Sequence, residues 1–253
     1  MAMVLGGPVK HSSARTPRMI GFVVASMTVA LRTLGADPEV PTERLLYYNL
    51  VETLVTRVRP YGYTFVATFQ VTHVFKGDVA LGRKTFEVTG GAGATHGAPL
   101  LTSAPTIGDK GIWLVRNDGG TVRWVAFGPR MKRTRVLIVP LPARETDRPT
   151  LPHEPPYEEV VAWAKAVEQT VKAKPSERYA ILKKLTESTS RPMALWAFAV
   201  LAEVDPERAP YLVWSALRGK DLPEWKREGL ERILFDFATA PHRNPKQLDP
   251  PKE

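Results

Sequence analysis

The spacing of apolar residues changes once along this chain, and the change falls at a run of prolines. Before about residue 140 the apolar side chains alternate with polar ones, as on half-buried strands. After residue 156 they recur every three to four positions, as on amphipathic helices. Pro140, Pro142, Pro149, Pro152, Pro155 and Pro156 lie between the two patterns, where proline removes backbone donors and stiffens the connection. The pattern predicts an α+β chain: a β region over 45–140, a proline-rich linker over 141–155, and an all-α domain of helical hairpins over 156–240. A length of 253 residues fits two small domains of this kind, and the switch predicts a domain boundary at the linker.

Within the β region, residues 49–59 form the first expected strand and Pro60-Tyr61-Gly62-Tyr63 a turn. Residues 64–75 then alternate, with Phe65, Ala67, Phe69, Val71, His73 and Phe75 on one face. This assigns His73 to the core or the edge of the sheet. A third strand is expected at 84–89, followed by the glycine-rich loop Gly90–Gly97. Gly111–Val115 and Thr121–Phe127 pair as a hairpin across Arg116–Gly120, because an Asp-Gly turn between two alternating runs favours that geometry. The predicted core contains Phe65, Phe69, Val71, Trp113 and Trp124. Five strands in about a hundred residues suit an OB-like, partly open five-stranded barrel.

An extended strand ending in Val74-Phe75-Lys76-Gly77, a short strand, a glycine-containing loop, Ile107-Gly-Asp-Lys-Gly-Ile-Trp-Leu-Val115 and a hairpin return follow one another over residues 48–128. This order resembles the netrin-like, tissue-inhibitor-of-metalloproteinases-like OB module that recurs in exported bacterial proteins. The resemblance implies an OB-like barrel. Animal inhibitors of that superfamily place an N-terminal cysteine on the protease metal. This chain contains no cysteine, so the resemblance does not extend to that chemistry.

In the second region, helices are expected from Pro156 through Val171, from Pro175, and from Arg191-Pro192 through the very apolar stretch ending at Ala202. Asp205-Pro206 reads as an N-cap with proline at the first helical position. The helix that follows carries Tyr211, Leu212, Trp214 and Leu217. Asp221-Leu-Pro-Glu224 resembles a capping box before the last helix. These spacings suggest a stack of antiparallel helical hairpins, loosely like a degenerate repeat array. Residues 241–253 are polar and proline-rich and are expected to be disordered.

Lys10, Arg15 and Arg18 precede the apolar run Met19–Leu31, and Leu34-Gly-Ala36 leads into Asp37. This is the order of a secretory signal over residues 1–36. The run is shorter than the roughly 20 apolar residues of a comfortable transmembrane helix. A secreted or periplasmic protein is expected; the alternatives are an uncleaved membrane anchor and a buried N-terminal helix. The lack of cysteine excludes a disulfide-linked partner and thiolate chemistry. Net charge is +9. It is concentrated before residue 141, which fits either attraction to a polyanion or simple solubility.

No pattern for nucleophilic catalysis or metal binding emerges: there is no Gly-x-Ser-x-Gly elbow and no close spacing of histidines. The loop Gly90–Gly97 lacks the lysine of a P-loop. No cofactor is expected. The densest charge cluster is Arg130, Lys132, Arg133 and Arg135, with Arg123 before it. With aromatics on an OB-like barrel it forms a candidate polyanion site; the competing reading is a solvated edge. His96, in the glycine-rich loop, is a further binding candidate. Three functions are compatible with the sequence: an exported interaction protein with an envelope or other protein partner, a polyanion-binding module for nucleic acid or acidic polysaccharide, and a hydrolase.

Overall fold

The structure, a computed structural model, describes residues 37–91, 101, 103–125, 141–146 and 154–239. The expected leader, His96, the basic cluster 130–135 and the tail 241–253 lie outside the described residues. From Asp37 onward the chain forms one compact unit. It is mixed α+β, an open antiparallel sheet with helices against it.

A one-turn helix, α1 (Thr42–Leu45), leads into the long strands β1 (Asn49–Tyr61) and β2 (Thr64–Lys76). A 3-10 turn at Val79–Leu81 precedes β3 (Thr85–Gly91), and β4 (Lys110–Asp118) and β5 (Thr121–Trp124) form the expected hairpin. A two-residue strand, β6 (Ala143–Arg144), pairs with Gly111 and Ile112 of β4. The sheet order is β3-β2-β1-β4-β5, with β6 off this path. The edge strands β3 and β5 approach one another, with Cα atoms within 8 Å.

Alternation on the central strands serves two cores at once. On β4, Trp113 and Val115 enter a cluster supplied by all five long strands, while Ile112 and Leu114 face the helices. Phe69, Phe86 and Trp113 form the centre of the first cluster, with ring centroids 4.6–5.4 Å apart. Phe65, Phe69, Val71 and Trp113 are buried as expected, and Trp124 packs partly buried at the margin.

The expected place of His73 is corrected. Thr72 and Phe75 of β2 have no register partner on β1, so each is a bulge. A bulge inserts one residue and shifts the phase of alternation. Phe65, Ala67, Phe69 and Val71 therefore face the inner cluster, but beyond Thr72 it is Val74 that does so. His73 pairs with Glu52 on the opposite face and is exposed.

The motif residues behind the family resemblance have local structural roles. Gly77 has φ +119°, and a Cβ there would overlap the Asn49 side chain. Asn49 in turn accepts from Asp78 N and donates to Val115 O, both at 3.0 Å. Gly108 turns the chain at φ +96°, and Asp109 Oδ2 accepts from Thr106 N at 2.7 Å just before β4 begins.

Helices α2 (Tyr157–Lys172), α3 (Pro175–Leu185) and α4 (Arg191–Val204) fall where the periodicity places them. The next helix, α5 (Ala209–Leu217), begins later than expected. Asp205 closes α4 and also makes the capping bond expected of it, its Oδ1 accepting from Arg208 N at 3.2 Å in the turn that precedes α5. The last helix, α6 (Glu224–Thr239), starts at Glu224 with its first turn bonded to Pro223 O. Glu224 is therefore the first helical residue, and the expected box with Glu224 at the third position does not form.

The sheet and the helices share their largest core. Leu50, Phe75, Ile112 and Leu114 of the sheet pack in one cluster with Val160, Trp163, Val167, Leu182, Trp196 and Val200 of the helices. The stretch expected as linker begins inside this fold, with Leu141 buried in that cluster and Ala143–Arg144 in the sheet. Long-range contacts tie the start of the unit to the helices, two of them made by buried side chains. Trp196 Nε1 donates to Leu45 O at 2.9 Å. Arg178, buried without a carboxylate partner in any described ion pair, donates to Thr170 O, Ala173 O, Val40 O and Val171 O at 2.7–3.0 Å. Its charge sits among the carbonyls at the C-terminus of α2, where the helix dipole favours a cation.

Candidate interaction surface

The amphipathic logic that builds the helical stack runs out at its last layer. α4 is covered by α2 and α3 on one side and by α5 and α6 on the other. Phe198, Ala199 and Ala202 of α4 meet Ala209 and Val213 of α5 and Leu230 and Ile233 of α6. No described element covers the outer side of the α5–α6 layer, although α5 carries no charged residue and is apolar nearly all round. Tyr211 and Trp214, three residues apart on one helical face, are 66% and 55% exposed. Phe235 of α6 is likewise exposed.

Between the two helices runs a groove of about 830 Å³, lined by Pro210, Trp214 and Leu217 of α5, by Leu234 and Phe235 of α6, and by Arg218, Arg227 and Glu231. Large aromatic side chains exposed beside arginines are the composition of binding hot spots. The sequence reading counted Tyr211 and Trp214 toward the helix's apolar stripe and missed their exposure. The available signal was the composition of α5, which has more apolar surface than one covered side accounts for.

The residues singled out from the sequence are not brought together. Arg123 lies on β5, exposed, directly across the ladder from Arg116. Asp118 at the hairpin bridges them, at 2.9 Å from Arg116 and 3.7 Å from Arg123. The charge of Arg123 is thus already shared with a carboxylate. Arg130, Lys132, Arg133, Arg135 and His96 lie outside the described residues.

A second polar cluster occupies the seam between the sheet and α2. His73 Nε2 lies 3.2 Å from Glu168 Oε1, and Lys172 Nζ lies 2.7 Å from the same oxygen. The hydrogen bond from Lys172, then that from His73, holds the Glu168 carboxyl below its ordinary range against the cost of burial. This carboxylate is ionised and doubly engaged at neutral pH, the arrangement of a clasp between elements. Nearby, Thr72 donates to Glu52 Oε2 at 3.1 Å. The Tyr157 hydroxyl is buried with no hydrogen-bond partner among the described residues, and burial, then the charge of Glu52, raises its pKa.

Among the described residues, no group of three or more His, Asp or Glu side chains is placed to hold a metal ion. No helix among them is long and apolar enough to cross a membrane. Comparison with protein-family models, with curated proteins and with solved structures gives no match for this chain.

Proposed function

We propose that this chain is an exported, non-enzymatic interaction protein whose docking surface is the outer face of α5 and α6. The observation that carries the reading is the groove with Trp214 and Tyr211 beside it, an apolar surface that no described element covers. Scattered surface apolar residues are ordinary, whereas a contiguous aromatic groove marks a binding site. Export rests on the sequence of residues 1–36 alone. The β region serves as the scaffold, curled as an OB-like, partly open barrel. Support for that curl comes from the strand order β3-β2-β1-β4-β5, the approach of β3 to β5, and the single inner cluster fed by all five strands. The bulges on β2 add the local bend that barrel closure requires.

The test is site-specific photo-crosslinking in the native envelope, with the probe at Tyr211 and, as a control, at Lys183 on α3. A discrete adduct from Tyr211 and none from Lys183 supports the reading. Equal labelling from both positions, or a mature protein in the cytosol with Met1 intact, overturns it.

A further inference from the structure

The α5–α6 groove differs from one end to the other. The two helices are joined by residues 218–223. Arg218, just past the end of α5, and Arg227, in the first turn of α6, therefore stand toward the hairpin end. Pro210, Leu234 and Phe235 line the opposite end, with Trp214 and the carboxylate of Glu231 between. No ion pair among the described residues engages Arg218 or Arg227. The walls are helices, so they present side chains and no strand edge. A strand-like ligand would find no edge to pair with in such a trough, while a helix satisfies its own backbone groups. The nine residues of α5 give a trough of about 14 Å, between two and three turns of a ligand helix.

Resting on the reading of this face as a docking surface, we propose that the groove receives an amphipathic helix of a partner protein. The helix's apolar stripe lies on Trp214, Leu217 and Leu234, and the acidic first turn of that helix meets Arg218 and Arg227. Carboxylates are favoured in the first turn of a helix by its dipole, and each arginine offers a fork that a carboxylate can bridge. The chain's own C-terminal segment does not have this chemistry: residues 241–253 hold four prolines, one leucine and a net positive charge.

Two helical peptides with the same leucine and phenylalanine stripe, one with three glutamates in its first turn and one with three lysines there, test this by fluorescence anisotropy on the full chain. The glutamate peptide should bind saturably, and the lysine twin about tenfold more weakly or worse at low salt. Arg218→Glu with Arg227→Glu should reverse the order, and Trp214→Ser should weaken both. Should the double reversal fail to fold, Arg218→Gln with Arg227→Gln should abolish the preference. Equal binding of the twins, no saturable binding, or a preference that survives the arginine changes overturns the proposal. So does a concentration-dependent dimer that Trp214→Ser dissolves, since the occupant would then be a second copy. Crosslinking at Tyr211 with no preference between the twins would leave the docking surface standing and remove only its proposed ligand.

Discussion

Helices α4 and α5 have nearly the same character in sequence and opposite fates in the structure. Both are apolar nearly all round. In α4 every residue from Ala194 to Ala202 is buried. In α5 only Ala209 and Val213 are buried, and Trp214, the bulkiest side chain, is exposed. The difference is position in the stack: α4 has neighbours on both sides, α5 has them on one. An all-round apolar helix therefore signals two-sided burial only when it is internal. At the end of the described stack the same signal goes with cover on one side only.

The largest effect should come from removing the cover of α4. Residues 153–240 expressed alone lack α1 and the sheet, which pack in one cluster with Trp163 and Trp196. The fragment should give no cooperative thermal transition, whereas the full chain should. A sharp transition in the fragment would show that α4 needs only its helical neighbours, and that the linker 141–155 is a true domain boundary. Trp196→Ala in the full chain should cost about 3–5 kcal/mol in denaturant unfolding, since it empties a fully buried site and removes the bond to Leu45 O. A cost near zero would place Trp196 outside the core.

A smaller effect concerns the end of α4. Tyr179 of α3 donates to Asp205 Oδ2 at 3.1 Å, and burial, then that bond, pushes the phenol up to about 12. The unfolded chain loses this proton above its ordinary value of 10.0 while the folded chain keeps it. Stability from this group is therefore full below pH 10 and is lost as the pH rises toward about 12. Two units correspond to at most about 2.7 kcal/mol. The difference in stability between wild type and Tyr179→Phe should shrink across that window, and a constant difference would deny the burial argument. The smallest effect belongs to α5: Trp214→Ser should change stability by no more than about 0.5 kcal/mol. A loss of several kcal/mol would mean that Trp214 belongs to the core after all.

Much of the fold was legible because it depends on local pattern. The alternation of residues 64–71, the Asp-Gly hairpin and the periodicity of α2, α3 and α4 each specify an element from a short window. What escaped depends on distant partners. β6 exists only because Ala143 and Arg144 find Gly111 and Ile112. The bulge at Thr72 is a property of the pairing between β1 and β2, so strict alternation carried His73 to the wrong face. Arg178 reads as an ordinary surface arginine until α2 ends beside it and Val40 crosses above. The groove escaped for a related reason. Trp214 is apolar at helical spacing, and only the layer count shows that nothing described lies over it.

The tie between Leu45 and Trp196 spans 151 positions, and that between Val40 and Arg178 spans 138. A ribosome adding about 5–20 residues per second makes Leu45 wait about 8–30 s for Trp196 to be synthesised. Helix α1 and the residues just before it can form local turns during that interval, but the carbonyls of Leu45 and Val40 lack their donors from α4 and α3. Completion of the fold is therefore a late event in the life of each new chain, set by the emergence of α3 and α4 rather than by the speed of strand pairing. Until then the chain's front end stays accessible to whatever handles nascent polypeptides.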